Sequence, residues 1–272
     1  MRRGIWNSVI FQNLNSHDTL STASHDPVGD SVHLIRDTSS HSSRWIAKSS
    51  HNALGDSITK GNGSPDDNGY RGKLRAKLIS AQKGTNASTD MIGSLRNGDM
   101  RDNDHEGHSG KLLADIREYL ELSLPAKPNV VLVHAGTNNM DLEKDLDKAD
   151  TLIESIVDRL IEGSPGVTVL VAPVIWANDS RMQVNTDVFN MELGVIINRK
   201  QQDGQHVLPV PIEITLADLS DKKHPNGAGY SKMAAAWHDA IIEASSKGWI
   251  QPPVEVDPGK LLGMGLGYGN AS

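Results

Sequence analysis

Hydrophobic positions along the chain fall into a few dense segments separated by polar stretches. Asn129–Ala135, "NVVLVHA", and Val167–Val174, "VTVLVAPV", are nearly continuous apolar runs rich in valine, the pattern of parallel strands buried on both faces. Val207–Ile212, "VLPVPI", predicts a third strand, placed by its two prolines at an edge or a strand end. Between these runs the apolar period changes to that of a helix. Leu112, Leu113, Ile116, Tyr119 and Leu120 predict a helix over Lys111–Leu122, and Leu146, Ala149, Leu152, Ile153, Ile156, Val157 and Leu160 predict one over Lys144–Ile161. Met233, Ala236, Trp237, Ala240 and Ile241 predict another over Gly229–Ser246. Strands alternating with helices imply an α/β fold, a three-layer α/β/α sandwich around a central parallel sheet.

The ends lack this patterning. Residues 1–52 are dominated by Ser, His, Asp and Asn, and 254–272 are glycine-rich, so the folded domain is expected over 53–253 with a poorly ordered segment before it and a tail after it. Two arginines open the chain, but Asn7, Asn13 and Asn15 break up the apolar stretch that follows, so no secretory leader is read there.

Composition narrows the chemistry. A net charge of −7 across 272 residues, with no basic cluster, argues against nucleic acid as a partner. Without cysteine there is no disulfide, thiol nucleophile or thiolate metal site. No apolar run approaches the roughly 20 residues needed to cross a bilayer, so no membrane partner is expected. The acidic and histidine-rich stretch Asp102, Asp104, His105, Glu106 and His108 lacks metal-motif spacing, because its histidines stand three apart around a glycine. Neither a metal nor a cofactor is expected.

In a parallel sheet, ligands bind beyond the carboxyl ends of the strands. Four polar blocks occupy such places: "GDSIT" with Ser57, "HEGHSG" with Gly110, "GTNN" with Asn138, and "DKKHPN" with Asp221 and His224. Together they supply the parts of acyl transfer. A serine hydroxyl needs an imidazole to take its proton, the imidazole needs a carboxylate to fix its tautomer, and the tetrahedral intermediate needs donors for its oxyanion. Gly110, read as the N-terminus of a helix, offers a backbone N–H, Asn138 an amide, and Ser57 its own N–H.

These four blocks, in this order, resemble the SGNH, or GDSL, hydrolase superfamily. More narrowly, "GDSITKGNGSPDDNGYRGKL", "HEGHSG", "HAGTNNM" and "HPNGAGYSKMAAAWHDAI" resemble carbohydrate esterase family three, the acetyl xylan esterases, over about Ala53–Pro253. The resemblance implies a cofactor-free serine esterase acting on acylated carbohydrate, acetyl being the expected acyl group. It implies Ser57 as nucleophile, Asp221 and His224 as the rest of the triad, and Ser57, Gly110 and Asn138 as the oxyanion hole. A second G-D-S, Gly29–Ser31, lacks the longer matching block. Trp176 is read as a border of a sugar-binding face or as a packing residue. His134, inside an apolar run, is read as a hydrogen-bonded structural residue.

One stretch departs from the family pattern. The residues before the nucleophile, "RWIAKSSHNAL", are polar where an apolar central strand is expected. The expectation is therefore a defective first strand, explained either by residues 1–52 being foreign to the domain or by Val32–Ile35 serving as the strand. This departure motivates the alternative reading, a catalytically impaired glycan-binding relative. It also leaves location divided: as written the chain would stay in the cytoplasm, whereas the family points outside the cell.

Overall fold

In a computed structural model, which describes residues 48–83 and 88–257, the valine-rich runs form the middle of a seven-stranded sheet. In chain order the elements are β1 (Lys48–Gly55), α1 (Ser57–Lys60), α2 (Tyr70–Ala81), β2 (Ser88–Ile92), β3 (Leu95–Arg96), β4 (Asp104–Gly107) and α3 (Leu113–Ser123). They continue with β5 (Val130–His134), α4 (Thr137–Leu142), α5 (Ala149–Gly163), β6 (Thr168–Val171), α6 (Ser180–Gln202), β7 (Val207–Pro209) and α7 (Gly227–Ser246). The strand order is β3-β4-β1-β5-β6-β7, with β2 also paired to β1. Every pairing is parallel except β3 with β4.

Two apolar layers cover the sheet. Leu74, Leu78, Tyr230, Met233, Trp237 and Ile241, from α2 and α7, pack with Ala53, Val130 and Leu132 on one face. Ile116, Leu120, Ile153, Ile156, Phe189 and Leu193, from α3, α5 and α6, pack with Leu54, Val131 and Val133 on the other. The expected three-layer architecture is present. Among the described residues, no helix is long and apolar enough to cross a membrane.

The expectation of a defective first strand is corrected. Lys48–Asn52, assigned from sequence to the segment outside the domain, is the first part of β1, which pairs with β5 on one side and with β2 and β4 on the other. Ser49, Ser50, His51 and Asn52 are buried, and two of these positions are tied to residues far along the chain. Asn129 Oδ1 accepts from Ser50 N–H at 2.8 Å, and Asn52 Nδ2 donates to Ser123 Oγ at 2.6 Å. A hydrogen bond of this kind offsets the desolvation that makes a polar strand costly. Ser49 Oγ, Asn52 Oδ1 and both ring nitrogens of His51 have no hydrogen-bond partner, and burial pushes the fully buried His51 imidazole down to about 4. The upstream alternative strand at Val32–Ile35, the first G-D-S with Ser31, and the tail beyond Asp257 lie outside the described residues.

Candidate active site

The carboxyl end of β1 delivers Ser57. Asp56 caps the short helix α1, its Oδ1 accepting from Ile58 N–H at 3.0 Å, and Ser57 is the first helical residue, 3 % exposed. A residue in a first helical turn has a backbone N–H with no intrahelical partner. The Ser57 N–H therefore has no partner within α1 and lies beside its own hydroxyl.

The loop before α7 delivers the other two groups. His224 Nε2 lies 2.9 Å from Ser57 Oγ, and His224 Nδ1 lies 2.7 Å from Asp221 Oδ2. An ionised carboxylate can only accept, so Nδ1 carries the proton and Nε2 is left to accept from the serine hydroxyl. Asp221 is half exposed, yet its geometry is tied down: Lys223 N–H and His224 N–H both donate to Oδ1, at 2.8 and 2.7 Å. Burial raises the Asp221 carboxyl, but these backbone donors and His224 outweigh it and hold the group below its ordinary range.

Gly63, not singled out in the sequence, seats this loop. Its φ of +89° is left-handed, and a Cβ there would come within 2.4 Å of Ser220 Oγ and 2.7 Å of the Pro225 carbonyl. The segment after Ser57 thus lies directly against the segment that carries His224.

The expected oxyanion residue Asn138 is tied to the residue that follows Gly110. Asn138 Nδ2 donates to Lys111 O at 2.9 Å, which sets the amide beside the turn containing Gly110. Asn62 Nδ2 donates to Ser109 Oγ at 3.2 Å, tying the same turn to the loop that follows Ser57. The expectation that Gly110 opens a helix is corrected: α3 begins at Leu113, and Gly110 sits in the preceding turn with φ of +77° and open space where a Cβ would be. Asn139 does the capping instead, its Oδ1 accepting from Leu113 N–H at 2.9 Å. The consecutive asparagines therefore divide their work, one toward the Gly110 turn and one on the helix.

Behind α1 lies a residue that sequence reading passed over. Arg71, fully buried, donates to five backbone carbonyls, those of Thr59, Lys60, Asp67, Asn97 and Asn103, at 2.8–3.3 Å. Burial lowers its guanidinium to about 10, with nearby phenols and carboxylates working the other way. Its only sequence signal is its place beside the apolar Tyr70 and Leu74.

The remaining expectations come out separately. His134 is fully buried, but neither ring nitrogen has a partner, so the expected hydrogen bond is not formed; burial lowers its imidazole against the pull of Asp56. In the acidic and histidine-rich stretch, Asp102 binds Arg75, Asp104 binds Arg96, and Glu106 accepts from Ser94 and pairs with His108. Among the described residues no group of three or more such side chains is arranged to hold a metal. Trp176 is 37 % exposed, two residues before Asn178, whose N–H donates to the Lys222 carbonyl at 2.7 Å.

Comparison with known proteins matches residues 53–232 to the family described as GDSL-like Lipase/Acylhydrolase. Among solved structures, a family 3 carbohydrate esterase from Clostridium thermocellum is 26% identical, with a TM-score of 0.61 over 74% of this chain and 98% of that one. A carbohydrate esterase family 3 protein from Talaromyces cellulolyticus is 22% identical, with a TM-score of 0.63 over 73% of this chain and 99% of that one. An acetyl xylan esterase is 15% identical, with a TM-score of 0.56 over 71% and 99%. No curated protein matches the chain in sequence.

Proposed function

The chain belongs to the GDSL-like Lipase/Acylhydrolase family, and from that premise we propose that it is a serine esterase removing short acyl groups, acetyl foremost, from carbohydrate hydroxyls. The observation that carries this reading is the unbroken hydrogen-bond chain Ser57–His224–Asp221, at 2.9 and 2.7 Å. In the proposed reaction Ser57 Oγ attacks the ester carbonyl carbon while its proton passes to His224 Nε2. Asp221 stabilises the imidazolium that forms. The carbonyl oxygen becomes an oxyanion, met by Ser57 N–H, Gly110 N–H and the Asn138 amide. Collapse breaks the ester C–O bond, and His224 returns the proton to the departing sugar oxygen. Water, deprotonated by the same histidine, then attacks the acyl-enzyme and releases the carboxylate.

Carbohydrate is favoured as the alcohol half of the ester by the esterases this chain resembles and by Trp176. Its ring stands half exposed on a loop hydrogen-bonded to the one that carries the triad. An exposed indole suits the apolar face of a sugar ring while its N–H remains available to a hydroxyl. The alternative, an impaired glycan-binding relative, was motivated by a defective first strand, and β1 is formed.

The test is acetate release from acetylated xylan and from p-nitrophenyl acetate by the full-length chain, beside Ser57→Ala and Ser31→Ala. Loss confined to Ser57→Ala supports the assignment. No release by the folded wild type overturns it, and glycan binding without turnover would revive the alternative.

A further inference from the structure

Two lysines, Lys222 and Lys223, stand between the proposed triad residues Asp221 and His224, and both reach across to α4. Lys222 Nζ donates to Asp141 Oδ1 at 2.5 Å and lies 3.6 Å from Asp179 Oδ2, while Lys223 Nζ donates to Asp141 Oδ2 at 2.7 Å. Asp141 is 7 % exposed. Burial raises its carboxyl, yet the hydrogen bonds and charges of the two lysines outweigh burial and keep it below the ordinary carboxylate range. Both oxygens of one buried carboxylate thus clamp the histidine loop onto the helix that carries Asn138.

Lys223 makes a second approach that Lys222 does not. Its ammonium lies 3.4 Å from Asn138 Oδ1, while the nitrogen of the same amide donates to Lys111 O at 2.9 Å. A carboxamide can turn over about its terminal torsion, and only its surroundings decide which end points where. Turned over, this one would set its NH2 against an ammonium and its oxygen against a carbonyl, two repulsive pairings in place of two attractive ones. A cation on the oxygen also draws electron density from the amide, making the N–H a stronger donor.

We propose that Lys223 is a positioning residue for the oxyanion hole, holding the Asn138 amide with its nitrogen toward the reacting carbonyl and coupling that amide to the loop that carries His224. The inference rests on the esterase reading. Because only the transition state carries the oxyanion, the effect falls on kcat and spares KM.

The experiment compares wild type, Lys223→Met, Lys223→Arg and Lys222→Met, each alone and with Asn138→Ala, on p-nitrophenyl acetate. The side-chain amide resonances of Asn138 are followed by NMR in the single variants, assigned by their absence from Asn138→Ala. Lys223→Met is expected to lower kcat about tenfold to a hundredfold with KM within about twofold, Lys223→Arg to recover most of it, and Lys222→Met to cost less. Once Asn138 is alanine, Lys223→Met is expected to cost little more. The Asn138 amide resonances should move in Lys223→Met. Unmoved resonances overturn the proposal whatever the kinetics, as does an equal kcat loss in the Asn138→Ala background. A wild type without esterase activity would sink the function proposed above, while the resonances would still decide the positioning of the amide.

Discussion

Ser57 Oγ and His224 Nε2 meet at 2.9 Å although 167 positions separate them in the chain. One arrives at the end of β1 and the other just before α7, so their meeting depends on the sheet and the outer helices being in register. Ser57→Ala and His224→Ala are each expected to lower kcat/KM for p-nitrophenyl acetate about 10⁴-fold or more. The double variant should be scarcely worse than either single one, because the two groups act as a unit. Additive losses would mean that they do not share a step.

Arg71 serves the fold behind Ser57. Replacing it with methionine keeps much of the volume and leaves five carbonyls without their donor. A loss of about 3 kcal/mol or more is expected in urea unfolding. A change below about 1 kcal/mol would mean that water replaces the guanidinium at little cost.

His51 makes the fold acid-sensitive. Its imidazole falls from 6.5 to about 4 on folding, so between those values the unfolded chain binds a proton that the folded chain does not. Stability therefore declines as pH falls from 6.5 toward 4, and the His51 share levels off below that. His51→Val should remove about 2–3 kcal/mol of the difference between unfolding free energies at pH 7 and pH 4.5. His105, lowered to about 2 chiefly by burial, and His134, also lowered by burial, leave further acid sensitivity in that variant. Identical pH slopes for variant and wild type would contradict the assignment.

The proposed sugar-binding role of Trp176 can be separated from the chemistry by choice of substrate. Trp176→Ala is expected to raise KM for acetylated xylo-oligosaccharides roughly tenfold, about 1.4 kcal/mol, and to leave p-nitrophenyl acetate kinetics within about twofold. Equal effects on both substrates would place the ring in packing.

The parts of the fold legible in the sequence are those where burial and periodicity agree. β5 and β6 are valine runs buried along their whole length, and α5 carries one apolar stripe, so each matched its pattern. β1 and β4 did not, because "SSHN" and "DHE" are polar yet buried, and the side-chain partners of Asn52, Asp104 and Glu106 lie outside those two strands. α6 escaped for the opposite reason. Met182, Phe189, Leu193 and Ile196 face the core, but Val184, Val188, Met191 and Val195 are exposed, so apolar residues surround the helix and no single stripe stands out. The groups of the candidate site were legible from short motifs, and the structure brings Ser57, His224 and Asp221 within hydrogen-bond distance of one another. Arg71 and the Lys223–Asn138 approach were not, because their meaning depends on which loops the sheet brings together.

The polar character of β1 also sets an order of assembly during translation. Ser50 depends on Asn129, 79 positions ahead, and Asn52 on Ser123, 71 ahead. A strand driven by apolar collapse could settle early, whereas β1 has little to gain until those residues have left the ribosome. Ser57 is thus synthesised well before Asp221 and His224, but its turn waits for about the following quarter of the chain before it is locked. Nascent chains ending before Asn129 are expected to exchange the β1 amides freely, and chains extended past β5 to protect them; early protection in the shorter chains would show that the strand needs no such partners.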